Sequence, residues 1–177
     1  WGAMLAGFMR GKGFSTAMID AVADNLGYDK TAGNILKMVP SLTVVTVSGT
    51  NPSASTMNMV GATGIVRSLK RRNPGMKIAF HGLHPSALPE RTLKETGVDF
   101  VCKGEGFVSL PLLVEALKKK ADTGNISGIW TLAGGKVSRA SDSAVLGDLN
   151  VIPPMACDLL PMAKYRAHNW HCFDRLT

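Results

Sequence analysis

The chain has 177 residues and a mass of 18.8 kDa, and 45% of it is hydrophobic, enough for one packed domain with a short appendage and too much for a disordered segment. Its three cysteines, Cys102, Cys157 and Cys172, are odd in number and far apart, which argues against a disulfide framework and a closed zinc site and favours a reducing cytoplasm. A net charge of +7 would permit nucleic-acid binding. However, Arg67, Lys70, Arg71 and Arg72 close one predicted helix and Lys118, Lys119 and Lys120 another, where cations offset the helix dipole. With 6% aromatic residues there is no stacking platform, and no apolar run approaches the ~20 residues of a membrane span, so neither nucleic acid nor membrane is an expected partner.

Taken in chain order, residues 3–12 read as a helix with Leu5, Phe8 and Met9 inward, ended by Gly11 and Gly13. A short strand is expected from Phe14 to Ile19. Thr31 can cap a second helix carrying Ile35, Leu36 and Val39, which Pro40 terminates. Leu42 to Val47 is a β-branched run typical of a central parallel strand, and it opens into Ser48-Gly49-Thr50-Asn51. A long helix from about Ala54 to Arg72 turns Met59, Ala62, Val66 and Leu69 to one face, and Asn73-Pro74-Gly75 stops it.

The strand Met76 to Phe80 runs into His81-Gly82-Leu83-His84-Pro85, read as a loop. Pro89 sits near the start of a short helix that ends before Gly97. The strand Val98 to Cys102 leads into Gly104-Glu105-Gly106, and Ser109 can cap a helix with Leu112, Leu113, Ala116 and Leu117 on its apolar face. Gly128 to Leu132 and Lys136 to Arg139 form an expected hairpin at the sheet's edge, and Pro153, Pro154 and Pro161 suggest an extended connector. The alternation predicts an α/β fold, a doubly wound, flavodoxin-like or Rossmann-like parallel sheet with helices on both faces. Because such sheets open on a strand and this chain opens on a helix, a first strand is expected upstream of Trp1.

Open α/β sheets bind ligands outside the carboxyl ends of their strands. The loops there hold the candidate site. Ser48 and Thr50 can offer hydroxyls, and Gly82 can admit a close backbone approach. His84, beside Pro85, can reach a ligand, and Glu105 lies between two flexible glycines as an acceptor. Asp20 suggests a phosphoacceptor of the receiver type, but Ser48-Gly49-Thr50 stands where that chemistry needs an aspartate. Only a partial glycine pattern, Trp1 to Gly7, is present for a dinucleotide fingerprint.

Together, the helix L-A-G-F-M-R-G-K-G-F, the S-G-T loop, the run H-G-L-H-P-S-A-L-P-E-R-T-L-K-E-T-G-V-D-F-V-C-K-G-E-G and the connector L-N-V-I-P-P-M-A-C-D-L-L-P-M-A-K-Y resemble the N-terminal cobalamin-binding domain of the cobalamin-dependent radical S-adenosylmethionine enzymes. The resemblance implies corrin contacts at Ser48, Gly49 and Thr50, at Gly82, Leu83 and His84, and at Gly104, Glu105 and Gly106. His81 departs from the family's usual G-G-x-H, placing an imidazole where a glycine is expected; a cobalt-ligating role or a slightly displaced corrin would follow, with simple packing at the strand end the preferred reading. The resemblance further implies a cobalamin domain over residues 1–147 and a connector over 148–177 toward a catalytic barrel of the same polypeptide. That barrel would hold S-adenosylmethionine and a 4Fe–4S cluster, since Cys102, Cys157 and Cys172 lack the C-x-x-x-C-x-x-C spacing, and Trp170, His171 and Cys172 would pack on it. No residue of the chain is assigned a catalytic or metal-binding role. The alternative from another class is a stand-alone module for a nucleotide or flavin.

Overall fold

The computed structural model describes residues 1–49 and 52–165. Its centre is a five-stranded sheet in the order β1 (Thr43–Val47), β2 (Ile78–Gly82), β3 (Phe100–Cys102), β4 (Ile129–Ala133) and β5 (Lys136–Arg139). The first three strands are parallel, and β4 and β5 add an antiparallel hairpin beside β3. The parallel strand β2 is buried on both sides, which is why it reads as a continuous apolar run. Ile78, Ala79 and Phe80 have no exposure at all. Full burial of Ile78 and Phe80 contributes about 1.5–3 kcal/mol each.

Strand alternation divides the core between the two faces. Val47, Ile78, Phe80 and Val101 point to the face covered by α2 (Tyr28–Lys37), α3 (Pro52–Arg72) and α5 (Pro89–Thr96), meeting Ala32, Val66, Leu69 and Leu93. Ala79, Phe100, Cys102 and Ile129 point to the other face, against Leu5 and Phe8 of α1 (Gly2–Gly11) and Leu110 and Leu113 of α6 (Ser109–Lys119). The fold is therefore α/β with helices on both faces of the sheet, as expected.

Several local expectations are corrected. Residues 14–19 alternate between half-buried and exposed up to Met18 as a strand would, yet their main chain joins no ladder. Phe14 instead lies under the Lys118 ammonium, 4.6 Å from its ring centre. Thr31 does not cap α2: the helix starts at Tyr28 behind Gly27, and the Thr31 hydroxyl donates to the Gly27 carbonyl from inside it. Nor does Ser109 cap α6, since it lies within the helix and donates to the Ser127 carbonyl at 2.7 Å. Leu110 replaces Leu112 on the inner face, and Leu112 is half exposed. The run after Gly82 is a short helix, α4 (Leu83–Ala87), where Pro85 is tolerated because it sits in the first turn.

The described part of the proline-bearing segment, from Asp148 to Tyr165, packs against the domain. It folds back along α1 in three short 3-10 turns, with the Ala156 N–H donating to the Ala3 carbonyl at 2.9 Å. A Cβ on Gly7 would lie 2.5 Å from the Pro154 carbonyl oxygen, so this crossing needs a glycine.

Candidate functional site

The carboxyl ends of β1, β2 and β3 bring three loops together. At about 4.8 Å between neighbouring strands, the edge from β1 to β3 spans roughly 10 Å. Ser48 and Gly49 end β1 in exposed positions; Thr50 falls outside the described residues. Gly82, Leu83 and His84 continue β2 into α4, and Leu83 is half exposed at the surface. Gly104, Glu105 and Gly106 follow β3, with both glycines at positive φ, +85° and +86°, which favours residues without a Cβ.

Gly82 has a role within the sheet itself. Its φ is +132°, and a Cβ there would meet the Val47 carbonyl oxygen at 2.1 Å. The missing side chain lets β2 close against β1, so the space it leaves is filled by protein. Gly49 likewise lies against Ala54, whose Cβ would be 2.3 Å from a side chain at that position.

A seam of neutral hydrogen bonds crosses the three loops. Fully buried Ser55, in the first turn of α3, donates to the Val47 carbonyl at 2.7 Å and accepts the His84 N–H at 3.1 Å. One hydroxyl thus fastens the end of β1 to the start of α4. Ser86, in α4, accepts the Gly104 N–H at 3.1 Å, and the His81 ring meets the Gly104 carbonyl through Nε2 at 3.1 Å. Both polar groups of Gly104 are therefore held from the segment 81–86. The His84 ring pairs with Thr56 Oγ1 at 3.0 Å, and Asn58 donates to the Ser48 carbonyl at 2.7 Å. Neither Ser55 nor Ser86 was expected in this role; the available signal was a small hydroxyl early in the helix that follows each strand.

His81 lies beneath this seam. It is 3% exposed on the α1/α6 face, with the Trp1 ring edge-on at 6.4 Å between centroids. A carbonyl can only accept, so the proton sits on Nε2 and Nδ1 keeps its lone pair. Among the described residues Nδ1 is buried with no partner, and so is Oε2 of Glu105. Burial holds the His81 pKa below its ordinary value, with the hydrogen bonds to the Gly104 and Glu105 main chain opposing. Beside it in the sheet, burial pushes the Cys102 thiol up to about 12, leaving an inert neutral thiol. Neither nitrogen of His81 reaches the exposed edge, so the structure favours packing over coordination.

These features match a known family. The B12 binding domain family matches residues 1–114. The chain belongs to that family. An uncharacterized methyltransferase of Pyrococcus horikoshii is 30% identical over 151 residues, which is 85% of this chain and 31% of that protein. The B12 domain thus spans about a third of its curated relative. Its fold is similar to part of OxsB, a cobalamin-dependent S-adenosylmethionine radical enzyme solved with aqua-cobalamin and S-adenosylmethionine bound, at a TM-score of 0.72 and 19% identity, covering 90% of this chain and 21% of that one. It is also similar to part of TsrM from Kitasatospora setae, a radical S-adenosylmethionine methyltransferase solved with cobalamin and a 4Fe–4S cluster, at a TM-score of 0.69 and 18% identity, covering 86% and 27%.

The carboxyl edge fits the cofactor this family implies. Glu105 Oε2, buried without a partner among the described residues, belongs to it, and a corrin carries amide side chains whose N–H groups complement an acceptor. Half-exposed Leu83 adds apolar surface at the same edge. Two open grooves of about 610 and 500 Å³ lie instead on the flank of α5 around Trp130, whose ring already carries the Arg139 guanidinium at 5.2 Å. Among the described residues no helix is long and apolar enough to cross a membrane, and no group of three or more His, Cys, Asp and Glu is placed to hold a metal ion.

Proposed function

We propose that this chain is the cobalamin-holding module of a larger radical S-adenosylmethionine enzyme of the methyltransferase class, working in a reducing cytoplasm. The observation that carries the reading is the B12 family match over three loops tied into one surface at the carboxyl edge. In this reading Ser48, Gly49 and Thr50 form the first wall, Gly82, Leu83 and His84 the second, and Gly104, Glu105 and Gly106 the third, with His81 beneath them. When bound, the corrin supplies methyl-transfer or radical chemistry that side chains lack. The chain's own residues bind and orient it: Leu83 excludes water, Glu105 accepts hydrogen bonds, and the seam through Ser55 and Ser86 keeps the walls in register.

Residues 1–147 form the module and 148–177 the connector toward a barrel of the same polypeptide, which would hold S-adenosylmethionine and the 4Fe–4S cluster. The relative is a methyltransferase and both structural neighbours are radical S-adenosylmethionine enzymes, which supports this assignment. Hydroxocobalamin added to the full-length protein and followed by desalting is expected to leave a protein-bound corrin spectrum, and complete loss of the chromophore would refute the reading. Sequence beyond Thr177 tests the enzyme class: a C-x-x-x-C-x-x-C triad is expected, whereas a stop codon there would favour the stand-alone binding module.

A further inference from the structure

The grip on Gly104 has a consequence for how the site responds to protons. Its N–H is held by Ser86 and its carbonyl by His81, five residues apart in one segment. The loop it belongs to has left-handed backbone at both Gly104 and Gly106, conformations that glycine alone does not enforce. A Cβ on Gly106 would stand 3.5 Å from His81 Cδ2, so the ring also lies against the far end of the loop. The imidazole thus acts as a post under the third wall.

We propose that His81, in its neutral Nε2–H form, is a positioning residue that fixes the Gly104–Gly106 loop for corrin binding and releases it when the ring is protonated. The proposal rests on the cobalamin reading of the site. Protonation adds an N–H at Nδ1, which has no hydrogen-bond partner among the described residues, and places a charge in a ring that is 3% exposed. Such a donor is costly to leave buried and unpaired. The ring must then move toward water, and the Gly104 carbonyl loses its partner.

The groups facing the ring do not offset this charge. At the start of α1 the Trp1 indole faces the ring edge-on. From β3 comes the neutral Cys102 thiol, and from the loop the main chain of Gly104 and Glu105. The Glu105 carboxyl belongs to the same loop and has one buried oxygen without a partner. With a folded-state pKa below the ordinary ~6.5, the folded loop binds fewer protons than the unfolded one, so its stability rises with pH and is lost as pH falls below about 6.5.

The test compares the full-length wild-type protein with His81→Gln, whose amide N–H can reach the Gly104 carbonyl and does not titrate, and with Ser86→Ala. Two readouts are taken at pH 7.5 and 5.5: hydroxocobalamin affinity, and hydrogen exchange of residues 103–107 without corrin. Wild type is expected to lose affinity about tenfold at the lower pH and to gain exchange in the loop, whereas His81→Gln should hold both nearly constant. Ser86→Ala should raise loop exchange at both pH values and keep the wild-type pH response, which tests the proposal even where His81→Gln fails to fold. Wild type and His81→Gln with parallel pH profiles, or a Ser86→Ala variant without a pH response, would overturn the positioning role. Absence of corrin binding at either pH, with loop exchange still following His81, would sink the cobalamin reading and leave the post in place.

Discussion

The two ends of the sheet are closed by different chemistry. At the amino edge Asp99, just before β3, takes the Lys70 ammonium at 2.6 Å, accepts the Ile78 N–H at 2.9 Å and lies 3.7 Å from Lys77. Nearby, Asp29 gathers Ser68, Arg71 and Arg72. These contacts hold its carboxyl below the ordinary range, the Ser68 hydrogen bond most of all. At the carboxyl edge the fastenings are neutral hydroxyl, imidazole and main-chain bonds, and among the described residues Glu105 Oε2 is buried without a partner. Charges at the amino edge are paired with one another, whereas the carboxyl edge is held by neutral bonds and keeps an acceptor in reserve, which is the arrangement the proposed cofactor site uses.

The strongest way to break this contrast is to open the carboxyl edge itself. Gly82→Ala puts a Cβ against the Val47 carbonyl at a φ of +132°, so we expect a loss of about 3 kcal/mol or more in denaturant unfolding together with loss of corrin retention. A variant of wild-type stability would mean that β1 and β2 can separate at this end freely. Ser55→Ala is the milder cut. It leaves the Val47 carbonyl and the His84 N–H buried without their shared partner, costing about 2 kcal/mol and lowering hydroxocobalamin affinity. Unchanged affinity would show that the seam supports the fold without shaping the site.

The opposite edge should behave differently. Asp99→Asn keeps the shape but removes the charge that meets Lys70, with both side chains about one-fifth exposed. We expect a loss of about 1–2 kcal/mol in unfolding with corrin affinity unchanged. If affinity fell in step with stability, the two edges would be one cooperative unit and the contrast between them would lose its meaning.

How far this division could be read from sequence depends on which groups carry periodic signals. The strands expected at 42–47, 76–80 and 98–102 are found at 43–47, 78–82 and 100–102, and they, the hairpin around Gly134 and the stop at Gly97 were legible because apolar runs and glycine punctuation record them directly. Residues 14–19 alternate between half-buried and exposed up to Met18 without a ladder, since a strand also needs a neighbour that the pattern does not name. The loop positions at Ser48, Gly82 and Gly104 were found from strand ends alone, but the helix at Leu83–Ala87 was hidden by Pro85. Ser55 and Ser86 were missed as fasteners because a hydroxyl bonded to distant main chain leaves no period in the sequence. At Gly82 the close approach that the structure shows is made by the Val47 carbonyl, and a glycine pattern marks such an approach without naming the group that makes it.

The smallest effect is expected where the contact looks strongest. Arg10 makes a two-pronged pair with Asp158 at 3.0 and 2.8 Å, fastening the returning segment to α1, and the pair raises the arginine pKa and lowers the aspartate's. Both groups are exposed, so water screens the attraction and replaces it readily once it is broken. The same segment is also held by the Ala156 N–H on the Ala3 carbonyl and by the Pro154 carbonyl seated against Gly7, with Ala156 only 3% exposed. Those contacts are buried main-chain ones that no side-chain truncation at Arg10 removes. Arg10→Ala should therefore leave the unfolding midpoint and the rate of proteolytic cleavage within 148–165 unchanged. Faster cleavage there would identify the exposed ion pair as the clasp, and the rule that separates the two ends of the sheet, buried neutral contacts for position and exposed charge for little, would fail on the outside of α1.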